Sequence, residues 1–221
     1  MLDCAGCAAK YCSRGGVNGE DENCPGKKHS PEEVLTMYSE EEKKDVYTSS
    51  LVVSRGYGKY TRVEETMDYC YNMGYTHLGL AFCVTLSREA ETVARILKSN
   101  GFSVDSVCCK SCSSPKTAVG LTREQFADPR KEYESLCNPV GQALLLNESG
   151  CDFVLVLGLC VGHDTLLIKH LEIPCTVLAV KDRVLAHDPL GAVYTADSIY
   201  KRQYTFIKDH YGEEIPDAHT K

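Results

Sequence analysis

Residues 153–164 read FVLVLGLCVGHD. The first five, Phe153–Leu157, are all apolar, and a turn that contains Gly158 and Gly162 then leads to the polar start of a helix. Short strands that are apolar on both faces are typical of parallel sheets covered by helices on both sides. This stretch therefore predicts an α/β fold.

The same alternation of apolar runs and amphipathic stretches extends in both directions along the chain. We predict three more strands, at His77–Phe82, Phe102–Val107 and Thr176–Val180. Helices are predicted from Ser30 through Val46, Thr61 to Asn72, Arg88 to Ser99, Pro139 to Gly150, from His163 onward, and Thr195 to His210. Residues 31–221 should thus form a small open parallel (Rossmann-like) sheet of four strands flanked by helices.

Composition indicates an ordinary globular protein: of 221 residues, 43% are hydrophobic and 25% charged. The apolar runs are far shorter than the roughly 20 residues of a membrane span, and the first residues lack the basic and apolar regions of a signal peptide. A net charge of −7 with scattered basic residues argues against a nucleic-acid-binding surface. We therefore expect a cytoplasmic protein that binds neither membranes nor nucleic acids.

Cysteine is unusually frequent, with 13 in the chain. Disulfide-rich secreted domains are smaller and carry signal peptides, whereas this density in a reducing cytosol points to metal ligation or redox chemistry. The sequence motifs of nucleotide hydrolysis, dinucleotide binding and α/β-hydrolases are missing. The cysteines are therefore the first candidates for function.

The N-terminal segment, residues 1–30, contains four cysteines and too few large apolar residues to build a hydrophobic core. The spacing Cys4-x2-Cys7-x4-Cys12-x11-Cys24 allows four thiolates to surround one metal centre. Zinc and an iron–sulfur cluster both suit these ligands, and the spacing does not separate them. A flexible redox-active tail is the alternative interpretation.

Six more cysteines should lie at one edge of the sheet. Binding sites of open parallel sheets form outside the carboxyl ends of the strands, where the loops converge. The six are Cys83, Cys108, Cys109, Cys112, Cys137 and Cys160. The remaining Cys70, Cys151 and Cys175 fall inside a helix or at the opposite edge, and we interpret them as small buried hydrophobic residues. The sequence thus predicts a thiol-lined site at the carboxyl edge.

Polar residues join the thiols at this edge. His163 and Asp164 stand at the helix start after Cys160 and are candidates for proton transfer. Three more candidates follow the last strand, namely Lys181, Arg183 and His187. These could bind an anionic substrate or balance the charge of thiolates, and a surface ion-pair network is the alternative.

Several motifs together resemble a known family. The chain resembles the cysteine-rich family catalogued as domain of unknown function 1847. The motifs that carry this resemblance are LCNPVGQA, LGLCVGHD, VKDRVLAHDP and the CAGC pair with the two cysteines that follow it. Its members come mainly from anaerobic bacteria and archaea and are commonly labelled metal-binding. The resemblance supports Cys4, Cys7, Cys12 and Cys24 as metal ligands and favours an oxygen-sensitive cofactor, but it implies no particular reaction.

The first functional hypothesis is an enzyme that depends on a [4Fe–4S] cluster with one iron open to substrate. The preferred cluster ligands are Cys109, Cys137 and Cys160, with Cys83, Cys108 and Cys112 as substitutes. His163 or Lys181 would supply protons and Arg183 would hold an anionic group. Such a site suits a lyase, reductase or desulfurase that acts on a small anionic molecule.

Two alternatives remain open at this point. In one, the N-terminal cysteines hold structural zinc and the other thiols bind metal without catalysis. In the other, the protein transfers electrons between an N-terminal cluster and a redox partner protein or the sheet-edge site. Metal content separates these hypotheses, because the enzyme and the electron-transfer protein require iron and sulfide, whereas the zinc-binding protein does not.

Overall fold

The computed structural model describes residues 2–17, 19 and 21–212. The chain divides into two compact units, residues 1–61 and residues 62–221. Within the described residues, no helix is both long enough and apolar enough to cross a membrane. The prediction of a separate metal-binding segment over residues 1–30 stays a prediction.

The first unit contains short 3-10 turns and two helices, α1 (Pro31–Met37) and α2 (Glu40–Gly56). The single helix predicted from Ser30 is wrong, because a second helix start interrupts it at Ser39. The Ser39 hydroxyl accepts a hydrogen bond from the Glu42 N–H, and the Glu42 carboxylate accepts one from the Ser39 N–H. This reciprocal pair satisfies free amides at a helix start and therefore begins α2 as a separate helix.

The second unit carries the sheet and the remaining helices. Its strands are β1 (His77–Phe82), β2 (Ser103–Cys108), β3 (Phe153–Leu157) and β4 (Cys175–Ala179). Its helices are α3 (Arg62–Met73), α4 (Ser87–Ser99), α5 (Pro139–Ser149), α6 (His163–His170), α7 (Leu190–Tyr194) and α8 (Phe206–Tyr211). The sequence-based prediction of four strands that alternate with helices is confirmed.

All strand pairs in the sheet are parallel, and the strand order is β2-β1-β3-β4. The register pairs Phe82, the last residue of β1, with Cys108 on one side and with Leu157 on the other. Three strands therefore end at the same level. The loops that follow them start side by side at one edge of the sheet.

Two apolar layers cover the sheet. Leu78, Leu80 and Leu155 belong to one buried cluster, into which Leu97 of α4 packs. The other cluster contains Val154 and Val156 of β3 with residues of α5 and α6, and it also includes Cys83 and Cys109. Burial on both faces is the reason that the central strand β3 reads as a continuous apolar run. Two of the edge thiols are thus part of the packed interior.

The predicted helix from Thr195 to His210 is wrong. The structure has a 3-10 turn at Lys201–Tyr204 and the short α8 in its place. The Thr195 carbonyl accepts hydrogen bonds from the N–H groups of Ser198 (3.1 Å) and Tyr200 (3.0 Å), three and five residues further on, in place of the regular helical bond from the fourth residue. Local hydrogen bonds of this kind break the helix that the apolar spacing had suggested.

We expect Asp152→Ala to lower the free energy of unfolding by about 1–2 kcal/mol at pH 7. The Asp152 carboxylate accepts hydrogen bonds from the His77 N–H (2.9 Å) and the Thr76 N–H (2.8 Å), and these bonds hold its pKa below the ordinary value. A lowered folded-state pKa stabilises the protein above the unfolded-state pKa of about 3.9, and this stabilisation is lost as the pH falls through the folded-state value. Denaturant unfolding of both proteins at pH 7 and pH 3 measures the difference, and an equal difference at the two pH values would contradict the assignment.

Candidate functional site

Four thiols come from four different places at the carboxyl edge of the sheet. Cys83 follows β1, Cys109 lies one residue beyond β2, and Cys160 lies in the turn between β3 and α6, while Cys137 stands two residues before α5. Strand pairing continues past the strand ends, since the Cys83 N–H donates to the Leu157 carbonyl (3.2 Å). All four thus follow strand ends or precede a helix start at this edge, and their role as one site stays a prediction.

Cys83 and Cys109 are in direct contact. Both are buried, with 4% and 2% of their surfaces exposed, and their thiols share a hydrogen bond. This bond is the main cause of a lowered pKa of Cys83 and a raised pKa of Cys109. A backbone amide also faces the pair, because the Val84 N–H donates to the Cys109 sulfur (3.3 Å). The two sulfur atoms thus lie together in the interior, where ionisation of one disfavours ionisation of the other.

Cys137 joins this pair through the start of α5. The Asn138 N–H donates to the Cys109 carbonyl (2.8 Å), and the Asn138 side-chain amide donates to the Ser111 carbonyl (3.0 Å). The charge of Cys137 contributes to the raised pKa of Cys109, behind the larger effects of the Cys83 hydrogen bond and of burial. Asn138 therefore holds the Cys137 thiol next to the loop that carries Cys109.

Arg183 connects Cys160 to the other thiols. Its Nη2 donates to the Cys160 sulfur at 3.3 Å, and this bond is the main cause of the raised pKa of Arg183. The charges of Cys83 and Cys137 raise that pKa further. The Arg183 guanidinium thus interacts electrostatically with three thiols, and it is hydrogen-bonded to one of them, Cys160. We call Cys83, Cys109, Cys137 and Cys160 the thiol site.

Thr85 is a member of the site that the sequence did not reveal. Its hydroxyl oxygen lies 3.3 Å from the Cys83 sulfur and accepts a hydrogen bond from the Lys181 Nζ at 2.7 Å. Lys181 also contributes a positive charge that lowers the pKa of Cys83, after the effects of Cys109 and Thr85. A threonine three residues after a strand carries no distinctive sequence signal, so only the tertiary contact identifies it.

The other two predicted edge cysteines lie farther along the loop after β2. The Lys110 N–H donates to the Cys108 sulfur (3.5 Å), and Cys108 is partly buried against the same apolar layer as Cys109. Cys112 is exposed, has a positive φ of 56°, and packs against the first turn of α5 at Gly141. Their roles as substitute ligands stay predictions.

The predicted proton-transfer residues lie around the turn after Cys160 and the loop after β4. The N–H groups of His163 and Asp164 both donate to the Cys160 carbonyl, at 3.0 and 3.2 Å, so they shape the turn that presents the thiol. The His187 Nδ1 accepts a hydrogen bond from the Asp182 N–H (3.1 Å), which leaves the proton of a neutral ring on Nε2. Catalytic roles for these side chains stay predictions.

The four N-terminal cysteines line one small pocket of about 70 Å³. They are Cys4, Cys7, Cys12 and Cys24. The Lys10 N–H donates to the Cys7 sulfur at 3.5 Å, a contact that suits an anionic sulfur. Residues spread over 21 positions of the sequence therefore face a common space.

The remaining three cysteines behave as buried apolar residues. Cys70 and Cys151 are 0% and 6% exposed, and burial raises the pKa of Cys70 to about 12. Burial is also the main cause of the raised pKa of Cys151 and Cys175. All three lie away from the carboxyl edge of the sheet, in α3 or at the starts of β3 and β4.

The donor set of both candidate centres is thiolate sulfur, which favours soft metals such as zinc, copper(I) and iron–sulfur clusters. Among the described residues, no group of three or more His, Cys, Asp or Glu side chains is arranged so that it could hold a metal ion. Rotation of the thiols toward a common centre would have to accompany the binding of a single ion. The thiols would need to move less to bind an iron–sulfur cluster, because the iron and sulfide atoms lie between the thiolate ligands.

Comparison with known proteins places the chain in a family. Residues 24–178 match the family model described as "Protein of unknown function (DUF1847)". The uncharacterized protein MJ0455 of Methanocaldococcus jannaschii is 39% identical over 195 residues, which cover 88% of this chain and 94% of that protein. No solved structure gives a significant match. The matched range contains the whole thiol site, while Lys181 and Arg183 lie beyond it.

Proposed function

The chain belongs to the DUF1847 family of proteins of unknown function, and we propose that it is an iron–sulfur protein whose cluster is bound by the thiol site. The observation that carries this proposal is the convergence of Cys83, Cys109, Cys137 and Cys160 at one edge of the sheet, where Cys83 lies next to Cys109 and Arg183 bonds to Cys160. Four thiolates are the usual ligand set of [2Fe–2S] and [4Fe–4S] clusters. A structural role for buried cysteines alone would not need a cation beside them.

Positive charge beside the thiols supports the proposal. Arg183 bonds to Cys160, and Lys181 reaches Cys83 through Thr85. Four thiolates carry more negative charge than a cluster core neutralises, and nearby cations and hydrogen bonds to sulfur set the reduction potential. The two cations of the candidate substrate site therefore have a role in holding the cluster itself.

A bound cluster with all four thiols as ligands supplies one-electron transfer. This arrangement favours an electron carrier that works with a redox partner protein. The enzymatic alternative requires one iron without a protein ligand, as it would have if Cys109, Cys137 and Cys160 alone were ligands. In that case the chain would act as a lyase, reductase or desulfurase, and Arg183 would bind the anionic group of a small substrate.

The N-terminal pocket supports a second centre. Its four cysteines surround a space of about 70 Å³, which suits a single ion, and we propose that this ion is zinc. Binding would release the thiol protons and order residues that cannot bury an apolar core. All 13 cysteines are free thiols, which is the state expected in a reducing compartment, and we propose a cytoplasmic location on this basis.

The test is anaerobic purification followed by analysis of iron, zinc and acid-labile sulfide in one sample. We expect about four iron and four sulfide, as in a [4Fe–4S] cluster, together with one zinc per chain. The zinc should disappear in Cys4→Ser/Cys7→Ser, while iron and sulfide stay unchanged. Zinc alone, without sulfide, would contradict the cluster and leave a thiol-rich zinc protein.

The variant Cys83→Ala separates the two forms of the proposal. Loss of the cluster indicates four cysteine ligands and an electron carrier. Retention of four iron atoms indicates that Cys109, Cys137 and Cys160 suffice, which leaves one iron open and favours the enzyme. Iron and sulfide analysis with a visible absorption spectrum distinguishes the two results.

A further inference from the structure

Gln142 is the only fully buried polar side chain with 0% exposure among the buried residues that the structure describes. It lies in the first half of α5, four residues after Asn138. Its Nε2 donates to the Val107 carbonyl at 2.7 Å and to the Phe82 carbonyl at 3.3 Å. One side chain of α5 thus joins the carboxyl ends of β1 and β2.

These two carbonyls stand directly before the thiols. Phe82 precedes Cys83, and Val107 lies two residues before Cys109. The Phe82 carbonyl also accepts a hydrogen bond from the Cys109 N–H at 2.9 Å. The Gln142 amide therefore acts at the point where the backbone positions of the Cys83–Cys109 pair are set.

The Gln142 side chain also connects the Cys83–Cys109 pair to the segment that carries Cys137. The loop that carries Cys137 leads into α5, and Gln142 attaches α5 to the strand ends. Displacement of the amide would let the helix start move relative to both strands. Gln142 thus adds a buried contact to the strand register and to the Asn138 hydrogen bonds that place these three thiols.

The oxygen atom of the Gln142 amide carries an energetic cost. The Gln142 Oε1 is buried and has no hydrogen-bond partner among the described residues. An unpaired buried oxygen carries a desolvation penalty that an apolar side chain of the same shape would avoid. An apolar side chain would avoid this penalty, but it could not join the two strand ends as the Nε2 bonds do.

We infer that Gln142 is a positioning residue of the thiol site, which holds the loops of Cys83, Cys109 and Cys137 at the separation that a cluster requires. This inference rests on the proposed function. Residues that orient ligands without binding the metal typically change metal affinity by about 10–100-fold when they are replaced. The amide is neutral at all relevant pH values, so the effect should not depend on pH.

The experiment compares Gln142→Met with the native protein and with Leu97→Val, a buried control in the other apolar layer. Each protein is isolated anaerobically with its cluster, and the rate of iron release to a ferrous chelator is measured beside the thermal midpoint. Gln142→Met should release iron at least tenfold faster, while Leu97→Val should release it at the native rate despite a lower midpoint. Equal rates for Gln142→Met and the native protein would overturn the inference.

Gln142→Asn provides a second variant in case the methionine variant does not fold. It keeps a buried amide but is one methylene shorter, so it cannot reach both carbonyls. The same tenfold faster release is expected, since the strand ends are no longer joined. A native rate in this variant would also overturn the inference.

A metal-free measurement separates this inference from the proposed function. The apo proteins are treated with diamide, and the disulfide between Cys83 and Cys109 is quantified by peptide mapping. Disulfide formation should be at least tenfold slower in Gln142→Met than in the native protein and Leu97→Val. If the native protein contains no iron but this slowing is found, the cluster proposal fails and the positioning role stands; equal rates overturn the positioning role.

Discussion

Replacement of Cys160 with alanine is expected to remove the cluster of the thiol site, with the loss of about four iron and four sulfide per chain. Cys160 is the ligand from the turn after β3, and no neighbouring residue of that turn can supply a second thiol. The substitution also leaves Arg183 without its bonded sulfur. The fold should change little, because the side chain is only partly buried.

Cys175→Ala is the matched control for this prediction. Cys175 begins β4 at the opposite edge of the sheet, and burial raises its pKa. Its removal should leave iron, sulfide and the visible spectrum at native values. Full iron and sulfide content in Cys160→Ala would show that the ligand set has been assigned wrongly.

The largest expected effect on stability comes from Gly158→Ala. Gly158 ends β3 with φ +61°, and a Cβ built there would lie 2.1 Å from Cδ1 of the buried Leu86. The left-handed backbone conformation costs about 1–2 kcal/mol for a residue with a side chain, and forcing Leu86 aside costs about 1–3 kcal/mol. We expect a total loss of about 2–5 kcal/mol, measured by denaturant unfolding of the apo protein.

Gly150→Ala measures the conformational part of that cost alone. Gly150 caps α5 with φ +75°, and a Cβ built there meets no heavy atom within 4 Å among the described residues. Alanine at this position should cost only the conformational term of about 1–2 kcal/mol. Equal losses in the two variants would mean that Leu86 relaxes freely and that the close approach is not important.

Much of the fold could be predicted from local patterns. The run Phe153–Leu157 gave its strand at the predicted bounds, and Gly150 ends α5 in the left-handed conformation that a helix stop favours. The segment after β4 could not be predicted in the same way. Its apolar spacing suggested one helix, but the backbone bonds to the Thr195 carbonyl come from residues three and five positions further on, so the regular helical pattern is broken there.

For the candidate site, the sequence by itself determined that six cysteines lie at one edge, because parallel strands with right-handed crossovers end on the same side. Only the tertiary structure decided which of these thiols meet. The register that pairs Phe82 with Cys108 sets Cys83 beside Cys109, while the contacts of Arg183 and Gln142 bring in the other loops. Strand order, register and contacts between distant residues depend on packing of the whole domain, and no local sequence pattern contains them.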